Sequence, residues 1–129
     1  MTQIYHICSK EALKSAREAG SYRTESLKTE GFIHFSQRHQ VLGVAGAFYR
    51  GQKDLVILVV DENRVKAVIR YEAPIHPGAV DSARSVIPSN DQQFPHLYGE
   101  LNIDAVVNVI ELPLLSSGDF DTSVFITAS

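Results

Sequence analysis

The feature that most constrains this chain is an uninterrupted apolar run at residues 55–60, Leu-Val-Ile-Leu-Val-Val. Its length suits a strand better than a helix, and its β-branched residues favour an extended backbone. Because no polar residue alternates with the apolar ones, both faces of this strand must be covered by other parts of the chain. The run therefore predicts a central strand of a sheet with packed side chains on both sides.

The length of 129 residues and the hydrophobic fraction of 44% fit one domain, residues 1–129. The single cysteine, Cys8, excludes an internal disulfide and a cysteine-based zinc site, and we expect it to be a buried structural thiol. No apolar stretch approaches the roughly 20 residues of a membrane-spanning helix, and the N-terminus lacks the pattern of a signal peptide. We therefore expect a soluble, cytoplasmic single-domain protein with no membrane attachment.

The first half of the chain alternates strand and helix patterns. Strand patterns occupy residues 3–8 and 31–35, and an amphipathic helix pattern follows each of them. The residues that cap or end these helices are Ser9, Gly20, Ser36 and Gly51. Residues 21–30 are polar and predict a turn.

The second half of the chain is rich in strand patterns. They lie at residues 65–72, at residues 105–112 and, weakly, at residues 124–126. Residues 73–93 contain three prolines and no periodicity, and so predict a long loop. Runs of strands without intervening helices are typical of α+β domains. We therefore predict an α+β fold with a mixed, largely antiparallel sheet and two N-terminal helices.

Charge is unevenly distributed along a chain whose net charge is −3. Residues 1–53 carry eight Lys or Arg and four Asp or Glu, whereas residues 54–129 carry four and eleven. Bulk nucleic-acid binding requires a clustered basic surface, so this balance argues against it. The asymmetry indicates either a small anionic ligand near the first half or only a solvated surface.

Three of the five histidines, His6, His34 and His96, lie in segments rich in aromatic and apolar residues. A buried imidazole must satisfy its ring nitrogens, so each is either a hydrogen-bonded structural residue or a functional group. His34 and Ser36 would share a strand face, where they could hold a ribose or phosphate oxygen. Alternatively, Ser36 only caps the helix. No histidines have the spacing of a metal site, so no metal is expected.

Arg70 and Glu72 would also share a strand face. They form either an exposed ion pair of little energetic weight or part of a cleft, in which Arg70 binds an anion and Glu72 is a base or a ribose anchor. Residues 94–99 follow the long loop and contain two aromatic residues, Phe94 and Tyr98. We interpret this segment as a rigid loop that stacks on a nucleobase or nicotinamide ring, or alternatively as a core plug.

Several short motifs resemble those of a family of short bacterial proteins, domain of unknown function 952. The longer motifs are Ile-Tyr-His-Ile at residues 4–7, Glu-Gly-Phe-Ile-His-x-Ser at residues 30–36, Phe-Tyr-x-Gly at residues 48–51 and Phe-Pro-His-Leu-Tyr-Gly at residues 94–99. Shorter ones are Tyr22 with Ser26-Leu27, Asp54-Leu55-Val56 and Tyr71-Glu72. The resemblance covers residues 4–120, nearly the whole chain. The family is grouped with the ADP-ribosyltransferase-like fold, so the resemblance implies a split, mixed sheet around an NAD cleft.

In that fold the first core strand carries an Arg or His that holds the NAD ribose, and the resemblance gives this role to His6. A later strand carries a Ser, Thr or Tyr, which residues 34–36 supply. A third strand carries the catalytic glutamate of many members, and the strand glutamates here are Glu72 and Glu111. Relatives often have Cys between the His and the Ser, where this chain has Phe35.

These observations lead us to expect a cleft that binds NAD, ADP-ribose or a related nucleotide. The expected ligand-binding residues are His6, Ser36, Arg70, Phe94, His96 and Tyr98. His34 and Glu72 are the candidates for polarising a ribose hydroxyl in ADP-ribosyl or phosphoribosyl transfer or hydrolysis. One alternative is a cyclic-phosphate RNA-end phosphodiesterase that uses His34-x-Ser36 and His96 as base and acid. Another is a non-enzymatic binding module whose histidines are structural.

Overall fold

The described part of the chain, residues 2–73 and 92–127 of a computed structural model, folds into short strands and helices. The strands are β1 (Gln3–Ser9), β2 (Ser21–Tyr22), β3 (Ile33–His34), β4 (Leu55–Asp61), β5 (Val68–Glu72), β6 (Phe94–Tyr98), β7 (Leu101–Asn102) and β8 (Val106–Leu112). The α-helices are α1 (Lys10–Ala19), α2 (Glu25–Thr29), α3 (Arg38–Phe48) and α4 (Ser123–Thr127). The 3-10 helices Glu62–Arg64 and Ile103–Ala105 lie before β5 and β8.

Strand β4 is the centre of the main sheet, whose strand order is β1-β4-β8. Both neighbours run antiparallel to it, and Ser9 of β1 and Leu112 of β8 lie opposite Leu55. Every residue of β4 is buried, and its alternate side chains enter two hydrophobic cores, with Leu58 in one and Ile57 in the other. The predicted central strand with two covered faces is therefore confirmed.

The other strands form a second sheet, β3-β6-β5, and a short pair, β2-β7. Every strand pairing in the described residues is antiparallel. This confirms an α+β fold with antiparallel sheets, and no parallel pair of the expected mixed sheet is found within residues 2–73 and 92–127. No helix in these two ranges is long and apolar enough to cross a membrane.

Helix α1 confirms the predicted cap and stop signals. The Ser9 hydroxyl accepts a hydrogen bond from the Ala12 N–H at 3.0 Å, and Gly20 ends the helix with a φ of 85°. The polar segment at residues 21–30 is more regular than the predicted turn, because it forms β2 and α2. The Thr24 hydroxyl caps α2 by accepting a hydrogen bond from the helix backbone.

Helix α3 begins and ends at different residues from those predicted. Its N-cap is Gln37, whose backbone N–H donates to the Gln40 side chain at 2.8 Å. Ser36 is not the cap, because its backbone N–H and C=O are paired with β1. The helix ends at Phe48, so the predicted stop at Gly51 is too late.

Three predictions for the second half need correction. Residues 94–99, interpreted as a rigid loop, contain β6, the middle strand of the second sheet. The weak strand signal at residues 124–126 belongs to helix α4, and β5 begins at Val68 instead of residue 65. The predicted loop at residues 73–93 lies outside the described residues except at its two ends.

One backbone pair joins the main sheet to the second sheet. The Tyr5 N–H donates to the Ser36 carbonyl at 2.8 Å, and the Ser36 N–H donates to the Tyr5 carbonyl at 2.7 Å. Next to this pair, the Phe35 N–H donates to the Pro95 carbonyl at 2.9 Å. Among the described residues β1 and β3 make no further backbone pair, so space opens beside the rest of β1.

The turn after β6 provides a test of backbone constraint. Gly99 has a φ of +156°, and a Cβ added there would lie 2.7 Å from the Cβ of Ala67. We expect Gly99→Ala to lower the free energy of unfolding by about 1–3 kcal/mol, because it combines backbone strain with a clash. The control is Gly46→Ala on α3, where nothing lies within 4 Å and helix propensity should raise stability by about 0.5–1 kcal/mol. Urea unfolding measures both, and equal effects would contradict the prediction.

Candidate functional site

A cleft of about 620 Å³ opens beside β1, between the segment at residues 22–26 and helix α3. Its lining includes Tyr5, His6, Tyr22, Ser26, Ser36 and Phe48. This volume falls within the range of about 300–1,000 Å³ that is usual for small-molecule sites. The cleft lies where the main sheet and the second sheet separate, and it is therefore the first candidate site.

The His6 side chain is buried at one side of this cleft, and both of its ring nitrogens are hydrogen-bonded. Nδ1–H donates to the His34 carbonyl at 2.6 Å, because a carbonyl oxygen can only accept. Nε2 therefore accepts from the Tyr22 hydroxyl at 2.7 Å. Burial lowers the pKa of His6 from its ordinary 6.5 to about 4. The ring is neutral at pH 7 and is held in one tautomer.

Strand β1 presents a backbone edge to the cleft. Tyr5 exchanges both backbone hydrogen bonds with Ser36, so its N–H and C=O point away from β4. Every second residue of an antiparallel strand has the same orientation, so the N–H and C=O of Ile7 also point away from β4. Continued pairing would place His34 opposite Ile7, but the His34 carbonyl accepts from the His6 ring instead. The Ile7 N–H and C=O therefore face the cleft without a partner among the described residues.

Two further small side chains line the cleft. Ser36 is buried, and its hydroxyl makes no hydrogen bond with any other residue that the structure describes. Cys8 is also buried, as predicted, and burial raises the pKa of its thiol to about 11. A thiol with so high a pKa is protonated at pH 7, so Cys8 is not an activated nucleophile.

A second group of side chains lies on the face of the second sheet opposite the core, which we call the outer face. It carries Arg70, Glu72, His96, Tyr98 and the ring of His34, which alternate along their strands with core residues such as Ile69, Leu97 and Ile33. Glu72 Oε1 accepts from His96 Nδ1–H at 2.8 Å and from the Tyr98 hydroxyl at 2.6 Å. The Arg70 guanidinium lies 5.5 Å from the centre of the Tyr98 ring.

Hydrogen bonding and burial set the charge states on the outer face. The Tyr98 hydroxyl, and then His96, hold the pKa of Glu72 below its ordinary value. Burial lowers the pKa of His96, and the bond to Glu72 opposes that shift only in part. His34 Nε2 lies 3.1 Å from Glu30 Oε2, and the ring centroids of His34 and His96 are 5.5 Å apart. The outer face therefore holds two imidazoles, each bonded to a carboxylate.

The structure places the sequence-predicted site residues in two groups. His6, Ser36 and Phe94 line the cleft. Arg70, Glu72, His96 and Tyr98 lie on the outer face and do not line the cleft. His34 belongs to both groups, because its carbonyl binds His6 while its ring contacts His96.

The sequence analysis assigned no site role to several residues of both groups. In the cleft these are Tyr22, Arg23 and Ser26, and on the outer face they are Glu30 and Phe32. The sequence signal that could have identified Glu30 and Phe32 is their position four and two residues before His34. No group of three or more His, Cys, Asp or Glu suitable for a metal ion occurs in the described residues.

Comparison with known proteins identifies one family and one solved relative. The model of the family described as "Protein of unknown function (DUF952)" matches residues 7–109. A crystal structure of protein CC0527 from Caulobacter crescentus is 27% identical, covers 98% of this chain and 99% of its own, and has a TM-score of 0.77. A solution NMR structure of CC0527 is 26% identical over the whole of both chains, with a TM-score of 0.67. No curated protein matches this chain.

The neutral, buried His6 makes stability depend on pH. In the unfolded chain this imidazole gains a proton near pH 6.5, but in the folded chain only near pH 4. Between these values the unfolded state binds more protons, so stability falls as the pH falls. The full shift corresponds to a loss of up to about 3 kcal/mol at pH 4 and below. Urea unfolding between pH 7 and pH 4 measures this loss.

A variant isolates the contribution of His6 from that of His96, which acts in the same direction. We expect His6→Asn, whose side-chain amide can still donate to the His34 carbonyl, to be less stable at pH 7 and to lose less stability on acidification. The matched control is His39→Asn, which replaces an exposed ring on α3. An unchanged pH slope in His6→Asn would contradict the assignment.

Proposed function

We propose that this chain, which belongs to the DUF952 family of proteins of unknown function, binds NAD, ADP-ribose or a related nucleotide in the cleft beside β1. The observation that carries the proposal is the backbone edge of Ile7, whose N–H and C=O face the cleft. One donor and one acceptor on the same residue match a carboxamide or the edge of an adenine ring. Such a group would pair with β1 much as another strand does.

Polar side chains around this edge suit the rest of a nucleotide. Ser36 lies in the cleft wall, and Thr24 and Ser26 line the other side. The Thr24 and Ser26 hydroxyls are bonded to each other, and the Ser26 hydroxyl donates to the Phe32 carbonyl at 2.8 Å, so Ser36 is the hydroxyl that we assign to the ligand. Arg23 also lines the cleft, is largely exposed and lies 3.7 Å from Glu100 in a loose ion pair. Arg23 is therefore better placed than Arg70, the residue expected from the sequence, to neutralise a phosphate group.

The ADP-ribosyltransferase-like architecture that the motifs imply supports the same ligand class. The resemblance locates NAD at a split in the sheet, and β1 and β3 separate beside His6. Because both nitrogens of His6 are bonded within the protein, we assign this residue to holding the cleft open and not to contacting the ligand. Fold analogy supports the ligand class but not a reaction, since one fold hosts many functions.

The proposal is one of binding. Glu72 and the ring of His34, the candidates for polarising a ribose hydroxyl, lie on the outer face. A nucleotide seated against Ile7 is therefore not assigned a transfer step through either residue. A cytoplasmic protein of this kind would meet NAD and related nucleotides as soluble small molecules.

Titration of the backbone amides with NAD and, separately, with ADP-ribose tests this proposal by NMR. We expect the largest shifts at residues 6–9, at residues 22–26 and at Ser36, because these surround the cleft. Ser36→Ala should weaken binding about tenfold, as expected for the loss of one hydrogen bond. The control Ser15→Ala, at an exposed position on α1, should leave the affinity unchanged. No shifts at millimolar ligand, or shifts confined to the outer face, would overturn the proposal.

A further inference from the structure

The outer face of the second sheet holds reactive side chains that the cleft does not use. The antiparallel pairing of β3 and β6 places His34 directly opposite His96. Their ring centroids are 5.5 Å apart in an edge-to-face arrangement. We propose that these two histidines form an acid–base site that hydrolyses cyclic phosphodiesters of the 2′,3′-cyclic nucleotide class. The second histidine of this site, His96, lies on the strand that pairs with β3 and does not belong to a second His-x-Ser motif.

Each histidine is bonded to a carboxylate, which orients its ring for proton transfer. His96 Nδ1–H donates to Glu72 at 2.8 Å, so Nε2 is the nitrogen of His96 that remains for reaction. That nitrogen makes no hydrogen bond to other residues within the described part of the chain. The His34 ring is bonded to Glu30 at 3.1 Å, which provides a partner for an imidazolium at that position. The two rings can therefore take different protonation roles.

The group of this face that suits a monoanionic diester is the Arg70 guanidinium, which lies over the Tyr98 ring. Glu72 accepts hydrogen bonds from His96 and Tyr98, and Glu30 is bonded to His34. These bonds hold the two carboxylates in place but leave the negative charge of Glu72 intact, so binding of the phosphate depends on Arg70.

The face also offers a partly exposed rim and one exposed aromatic ring. The side chains of His34 and Glu72 are 29% and 35% exposed, whereas His96 is 1% exposed beneath them. The Phe32 ring is buried and stacks on His96 with centroids 4.1 Å apart, which fixes the His96 ring. A nucleobase can pack against the exposed Tyr98 ring while its cyclic phosphate lies over the two histidines.

The reaction uses water as its only co-reactant. His96 Nε2 takes a proton from a water molecule, whose oxygen forms a new bond to phosphorus. The bond between phosphorus and one ribose oxygen breaks, and the His34 imidazolium gives its proton to that oxygen. The product is a ribose phosphomonoester with a free hydroxyl. Both rings then return to their starting protonation by exchange with solvent.

Incubation of the purified chain with 2′,3′-cyclic AMP, followed by ³¹P NMR, tests the proposal. We expect conversion of the cyclic diester into a phosphomonoester. His34→Gln and His96→Gln should each lower the rate at least about 100-fold, because each removes an acid–base group. The matched control His39→Gln, prepared in the same way, should retain the full rate, whereas a contaminating enzyme would give the same rate in all three variants.

His96 is buried, so its replacement can also disturb folding. Glu30→Gln is therefore the second variant, because Glu30 is exposed. This substitution should lower the rate without changing the melting temperature. Ser15→Ala, at an exposed position on α1 outside both candidate sites, should leave hydrolysis unchanged. The NAD titration tests the cleft and the ³¹P NMR assay tests the outer face, so either proposal can fail without the other. No turnover by the folded wild-type chain, or a full rate in both His34→Gln and Glu30→Gln, would overturn the assignment.

Discussion

The hydrogen bond from the His6 ring to the His34 carbonyl, 2.6 Å long, determines how the two larger sheets meet. If β1 and β3 continued to pair beyond Tyr5 and Ser36, that carbonyl would accept from the Ile7 N–H. The imidazole replaces this backbone donor, and Tyr22 satisfies its other nitrogen. An unsatisfied buried polar group costs about 1–3 kcal/mol, so His6 and Tyr22 act as a unit in which each group depends on the other. Because the His6 side chain takes the place of continued strand pairing, the space beside β1 stays open and forms the cleft.

The two-residue strand β3 connects the cleft to the outer face. The carbonyl of His34 is bonded to His6 on the cleft side, while the ring of the same residue lies between Glu30 and His96. Ile33, the other residue of β3, is fully buried in the core. The Ile33 side chain therefore packs in the core, the His34 carbonyl lies on the cleft side, and the His34 ring lies on the outer face. Residues 30–36, one of the motifs by which the sequence resembles the family, are constrained by both candidate sites at once.

The parts of the fold that could be predicted are those in which local chemistry and tertiary packing agree. No residue of the run at residues 55–60 is polar enough to face solvent, so the run must form a central strand that is covered on both faces. Ser9 and Gly20 cap α1 through bonds within a few residues, which the sequence records directly. Strand β6 could not be predicted in this way, because Pro95 and Gly99 resemble turn residues. Its strand character comes from pairing with β3 and β5 on both sides.

The candidate residues were easier to identify than their grouping. Alternation correctly placed Arg70 and Glu72 on one strand face, and the same rule applies to His96 and Tyr98 on β6. Alternation within a strand does not reveal which strand becomes its neighbour, and so it could not separate the outer face from the cleft. That separation follows from the register of β6, which places His34 opposite His96 and Arg70 on the other side of His96. His6 lies outside this register, since β1 meets β3 only at Tyr5 and Ser36. The chemistry of the site is therefore local in sequence, whereas its division into two sites depends on long-range pairing.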